Sequence, residues 1–243
     1  MFSSKNSKRQ LYLALVIAVL LGVITWFGLN FNSAKYDKPI VTQNEAVGKI
    51  DIIALLQRFS GTDKEINSLI KKLEKDSLNP ANIEALKNFG TKIPVDVYSA
   101  YALYLQGINE KNNTFLQQAA SLFFESGTHD PDSLADKTTY NVYSIRSCER
   151  ILKTDPKNLA ALTSKAIAIV YFGGAIMEGV GILKQVESID SNYVDAQHHL
   201  MILDLQSGQF KKAEKRLKKL LHLQPENQQY AEILLKLETQ QIK

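Results

Sequence analysis

The sequence predicts an all-α protein, a stack of helical hairpins behind one membrane-spanning helix. Two observations predict it. Asp155-Pro156, Asp190-Ser191 and Gln224-Pro225 fall 35 and then 34 residues apart, and each interval reads as an apolar-periodic helix, a glycine turn and a second such helix. Spacing in this range marks an array of helical hairpins. Far upstream, Leu11 to Leu29 is an uncharged, almost wholly apolar run of 19 residues. No segment alternates convincingly as a strand would.

Residues 1–10 form a basic flank containing Lys5, Lys8 and Arg9. Residues 11–29 follow as the expected transmembrane helix. At about 1.5 Å per residue, this run is just long enough to cross a hydrocarbon core. Trp26 sits near its far end, where an amphipathic ring favours the interface. Cations before the span predict that the short end stays in the cytoplasm and the bulk of the chain lies across the membrane. A cleaved signal peptide is the competing reading. Its apolar region is normally shorter, and only Asn32-Ser33-Ala34 offers a cleavage-like site, so an uncleaved anchor is favoured. A helix buried in the soluble domain fits poorly, because the run is apolar on every face. Residues 30–44 read as a polar tether containing Pro39.

The helical domain is expected over residues 45–243. Ile50, Ile52, Ile53, Leu55 and Leu56 predict a first helix. Thr62-Asp63-Lys64-Glu65 is a capping signature opening a helix whose Ile66, Leu69, Ile70 and Leu73 share a stripe. Asn79-Pro80 starts another that ends near Gly90. Val95 to Gly107 reads as the first helix of a hairpin turning at Gly107. Thr114 to Glu125 reads as its partner, after the polar stretch Asn109–Asn113. Thr138 to Lys153 is then a second helix without a first.

The unit 160–193 places Ala166, Gly174, Gly179, Leu183, Val186 and Ile189 where the unit 194–227 places Leu200, Gly208, Ala213, Leu217, Leu220 and Leu223. Glycine at the turn tolerates positive φ. Small residues at Gly179 and Ala213 suit a close helix crossing. Residues 228–242 form a capping helix, with Ile233, Leu234 and Leu237 on one side.

Gly208, Phe210, Ala213 and Pro225 in succession resemble the tetratricopeptide repeat (TPR). The first helices depart from that pattern, with Ile167 and Met201 where the family has a glycine. Ser191 stands where a proline would close the earlier unit. The resemblance implies an α-solenoid in which first helices line a groove for a protein or peptide. Carried over by position, the groove residues are Val97, Tyr101, Tyr104, Ser164, Ala168, Tyr171, Phe172, Asp195, His198, Ile202 and Leu205. Ala168 and Ile202 stand where chaperone-tail-clamping members carry an asparagine, which argues against that clamp.

Composition narrows the function. The net charge of +4 falls to +1 once the three cations of residues 1–34 are set aside, leaving 26 cations against 25 acids. Nucleic-acid binding therefore has no overall electrostatic footprint. Lys211, Lys212, Lys215, Arg216, Lys218 and Lys219 cluster on one helix. A solvated outer face explains them most simply, and a docking surface for an acidic partner or anionic lipid is the sharper reading. The lone Cys148 cannot form an internal disulfide and reads as a small core residue. Asp195, His198 and His199 lie within a turn of one another, yet too few ligands converge for a metal site. His129 reads as a turn residue. Asn112-Asn113-Thr114 is a formal glycosylation acceptor that chance supplies often. No nucleophile elbow, phosphate loop or dinucleotide fingerprint is present.

The expectation is a non-enzymatic adaptor, without cofactor, metal, nucleic acid or small-molecule substrate. The architecture is similar to anchored periplasmic TPR proteins. That likeness implies a single-pass protein of a bacterial inner membrane, with a periplasmic domain serving envelope complex assembly or maturation. A subunit of a membrane-bound enzyme complex, for example in cytochrome c maturation, is the rival reading. A cytosol-facing receptor with the anchor reversed is a third.

Overall fold

The computed structural model describes residues 52–92, 96–129, 134–172 and 174–241. The basic flank, the apolar run 11–29 and the tether lie outside the described residues. No described helix is long and apolar enough to cross a membrane. Among the described residues all regular structure is helical, in eleven helices. They are α1 (Ile52–Ser60), α2 (Lys64–Lys75), α3 (Pro80–Lys92), α4 (Asp96–Asn109), α5 (Asn113–His129), α6 (Leu134–Thr154), α7 (Leu159–Tyr171), α8 (Ile176–Ile189), α9 (Val194–Gln206), α10 (Phe210–Leu223) and α11 (Gln228–Gln241).

Local chemistry sets the boundaries. The Asp63 carboxylate caps α2, accepting from the backbone N–H groups of Glu65 at 2.8 Å and Ile66 at 3.2 Å. Ile66, Leu69, Ile70 and Leu73 of that helix are all buried, as their spacing requires. Asn79 accepts from Ala81 N–H at 3.0 Å ahead of Pro80, and Asn158 caps α7 through Ala161 N–H at 3.0 Å. Gly208 turns the chain at φ +72° between α9 and α10. The Tyr98 hydroxyl of α4 donates to the Leu56 carbonyl of α1 at 3.0 Å, tying the first helices to the array.

Gly107 does not turn the chain. It lies inside α4, which runs on to Asn109. A Cβ at this position would meet Leu116 Cγ of α5 at 2.7 Å, so the missing side chain serves close approach instead. The reversal comes later, at Lys111 with φ 53°, and Asn112 caps α5 through Thr114 N–H at 2.9 Å. His129 is the last residue of α5, not a turn residue.

The hairpin register also differs from the sequence expectation. α6 is not an orphan: α5 and α6 pair as a hairpin, as do α7–α8 and α9–α10. α5 packs beside α7, and α7 beside α9, so these three are the first helices of successive units. The second helices α6 and α8 fill in against α7 and α9. α4 therefore stands outside the first-helix row. Its Tyr101 and Tyr104 stack at 6.2 Å and meet Tyr143 of α6 edge-on at 5.8 and 5.4 Å. α11 closes the array on α10, with Tyr230 and Leu237 buried. Cys148 is fully buried in α6, and burial pushes its thiol up to about 12.

The lysine-rich α10 is less solvated than expected, because Arg216 turns inward. Its side chain is 16% exposed and pairs with Glu187 of α8 at 2.6 Å and Asp204 of α9 at 2.9 Å. It also donates to Gln197 at 2.7 Å, so one guanidinium pins three helices. Lys218 pairs with Glu214 at 2.6 Å and Glu238 at 3.4 Å. Lys219 donates to the Ser191 carbonyl.

Two glycines of α8, Gly179 and Gly181, make opposite predictions. A Cβ on Gly179 would strike the Val170 side chain and lie 2.8 Å from the Ala166 carbonyl, whereas one on Gly181 meets nothing within 4 Å. Gly179→Ala overpacks the α7–α8 crossing, and its cost of about 1–3 kcal/mol outweighs a helix-propensity gain of about 1 kcal/mol. Gly181→Ala keeps only that gain. Urea titration should move the two midpoints in opposite directions, and a shared direction would refute the tight crossing.

The Arg216 network predicts acid sensitivity. Hydrogen bonding from Arg216 holds the Glu187 carboxyl below its ordinary range, with burial opposing. A carboxylate depressed in the fold adds stability above its unfolded pKa, and loses it as pH falls through the folded value. The group is partly exposed, so the term is below about 1 kcal/mol. Glu187→Gln should flatten the acid limb of stability between pH 7 and 3. An identical limb would remove the pair from the account.

Candidate functional site

The first-helix row carries a continuous line of rings. Phe124 on α5 meets Phe172 edge-on at 5.2 Å and Tyr171 at 6.2 Å, at the end of α7. Tyr171 meets His199 of α9 at 6.5 Å. His199 lies 5.3 Å from His198, whose Nδ1 sits 3.0 Å from the Tyr230 hydroxyl of α11. Six rings thus span four helices. Further along α5, Gln117 donates to the Ser164 hydroxyl of α7 at 2.8 Å across 47 residues of sequence.

The expected groove residues divide by burial. Val97 and Ala168 are fully buried and belong to the core, and Tyr101 and Tyr104 are buried within the tyrosine cluster of α4 and α6. Those four offer little or no free face, because α4 lies outside the row and Ala168 packs with Ile145 and Ile169. Ser164, Phe172 and His198 are half-buried in the row, and Tyr171 is exposed. Asp195 is exposed in the first turn of α9. Ile202 and Leu205 are half-buried against the core around α10 and α11. Phe124, His199 and Tyr230 complete the row, and the groove positions carried over from the family do not include them.

The line of rings is nearly without charge. Burial chiefly lowers the pKa of both histidines, while Asp195 opposes. His199 falls to about 4. Its Nδ1 is buried without a hydrogen-bond partner, so protonation there would bury a charge and an unpaired donor together. Burial raises the phenols of Tyr171 and Tyr230, keeping both neutral. Among the described residues, no three metal-ligating side chains converge. The surface can therefore offer ring faces and polar ring edges to a ligand. A separate open recess of about 660 Å³ is lined by Gly208, Gln209, Phe210, Lys211 and Lys212. None of the row's rings lines it.

Residues 177–237, from α8 into α11, match the family model described as tetratricopeptide repeat. That stretch is similar to a tetratricopeptide repeat. The match holds the whole unit 194–227, the second helix of the unit before it and most of the capping helix. No curated protein matches the chain. Among solved structures it is similar to "MamA RS-1 ArsTM double mutant", at 16% identity and a TM-score of 0.34, covering 72% of this chain and 96% of that one. A likeness that low carries no argument about this helical array. The ring row rests on the geometry above.

His199 gives the row a pH signature. Between pH 6.5 and about 4 the unfolded chain binds a proton that the folded ring refuses. Stability therefore falls as pH drops across that window, by on the order of 2–3 kcal/mol. His199→Gln should remove most of that slope in urea titrations at pH 7, 5.5 and 4.5. A His199 ring that titrates near 6.5 by NMR would contradict its burial.

Proposed function

We propose that this chain is a membrane-anchored TPR adaptor that holds a protein or peptide partner along its first-helix row. The observation that carries this reading is the line of rings from Phe124 to Tyr230, partly open to solvent and nearly uncharged. Aromatic rings give large contact area at low entropic cost, which suits an extended or helical apolar segment. The half-buried imidazole of His198 supplies a polar edge to fix register. Catalysis is not part of this reading. The anchor rests on sequence, namely the apolar run 11–29 behind Lys5, Lys8 and Arg9. That pattern supports a single span in a bacterial inner membrane, with the array on the outer side. Assembly or maturation of an envelope complex is the role such a tethered scaffold would serve.

A photocrosslinking amino acid at Tyr171 should capture a discrete partner in cells, and the same group at Lys184 of α8 should not. Phe124→Ala with His198→Ala should reduce that capture at least about tenfold, since hot-spot losses reach 2 kcal/mol or more. Equal capture from both positions, or capture indifferent to the double substitution, would overturn the groove. A reporter fused after Lys243 that is active only in the cytoplasm would overturn the orientation.

A further inference from the structure

Among the described residues six large apolar side chains stand exposed, and two of them, Met177 and Phe210, sit at the turns of successive hairpins. Met177 is the second residue of α8, and Phe210 opens α10. The α7–α8 and α9–α10 hairpins stack with their first helices adjacent, so both turns fall on the same side. Met177 is 79% exposed and Phe210 48%. Large exposed apolar side chains rimmed by polar residues fit an interaction surface.

The same edge is basic. Lys211 and Lys212 follow Phe210 directly, and Lys215 lies one turn on, all exposed. The first turn of α10 holds no acidic residue, although a helix N-terminus disfavours cations. Glu178, exposed beside Met177, is the opposing charge on α8. The nearby acids of α9 and α10 are engaged, Asp204 by Arg216 and Glu214 by Lys218. Protruding apolar side chains flanked by lysines fit one surface chemistry, an anionic bilayer: the apolar groups enter the headgroup boundary while the lysines meet phosphates.

Chain length supports the same occupant. Residues 30–51 separate the apolar run from α1. Even fully extended they reach about 75 Å, so an anchored array stays close to its own membrane. We propose that the hairpin-turn edge formed by Met177 and Phe210, with Lys211, Lys212 and Lys215, docks on the anionic headgroup surface of the bilayer that holds the anchor. This rests on the anchored reading above. Docking there leaves the ring row to hold a partner beside the membrane.

The test uses the full chain reconstituted into vesicles, with Met177→Cys carrying an environment-sensitive fluorophore. The buried Cys148 gives little background, which the unsubstituted chain measures. In phosphatidylglycerol-rich vesicles the probe should shift to the blue and be quenched by lipid-borne spin labels. A probe at Glu232→Cys on α11 should remain in water. Lys211→Glu with Lys212→Glu should weaken docking by at least about tenfold, as should replacement of the anionic lipid by phosphatidylcholine. A Met177 probe that stays in water in anionic vesicles overturns the proposal. If that probe is shielded only in native membranes, a protein covers the edge instead and the lipid assignment fails. Release of the chain by alkaline carbonate, assayed after the probe is read in the same vesicles, would overturn the anchor separately.

Discussion

A helix of this chain cannot bury its apolar stripe with one neighbour. α7 must cover α8 on one side and meet α5, α6 and α9 on others before Leu162, Ala166 and Ile169 leave water. That demand for lateral partners makes the stack, and the stack makes the surface. Each added hairpin brings a first helix beside the previous one, and with it another set of rings. The Arg216 network does the same work in polar form, joining Glu187, Gln197 and Asp204 across three helices that the chain could otherwise splay apart.

Where the sequence is explicit it is so for local reasons. Asp63, Asn79 and Gly208 mark helix boundaries because capping and positive φ depend on residue type alone. The two late units announce themselves because their lengths agree. The α5–α6 unit escapes the same reading because it is longer: Gln117 faces Ser164 at an offset of 47 residues, not 34. Its 21-residue α6 hides the period. Without that register, α4 looks like a first helix, and its tyrosines pass for groove residues. Gly107 reinforces the error, since a glycine that admits Leu116 looks no different in sequence from one that reverses the chain. Phe124 is legible only in retrospect, as the second of two adjacent aromatics of which one, Phe123, must face the core. Arg216 is invisible among five lysines because its partners lie on other helices.

The candidate site is accordingly a property of packing rather than of any motif. His198 and His199 attract attention as possible ligands for a metal. In the fold they are neutral edges in a line of aromatic rings, held so by burial against Tyr171 and Tyr230. The outer lysines divide in the same way. Arg216 and Lys218 are tied into the array, while those at the α9–α10 turn stand beside exposed Phe210. One helix thus presents a structural face and a free one.

The central claim is that α5, and not α4, continues the row of α7 and α9. Aromatic NOE spectroscopy on the protein with selectively labelled phenylalanine and tyrosine addresses it directly. The account predicts cross-peaks from the Phe124 ring to Phe172 and Tyr171, with the Tyr101 and Tyr104 rings connected to Tyr143 instead. Cross-peaks from Tyr101 or Tyr104 to Tyr171, with none from Phe124, would contradict it.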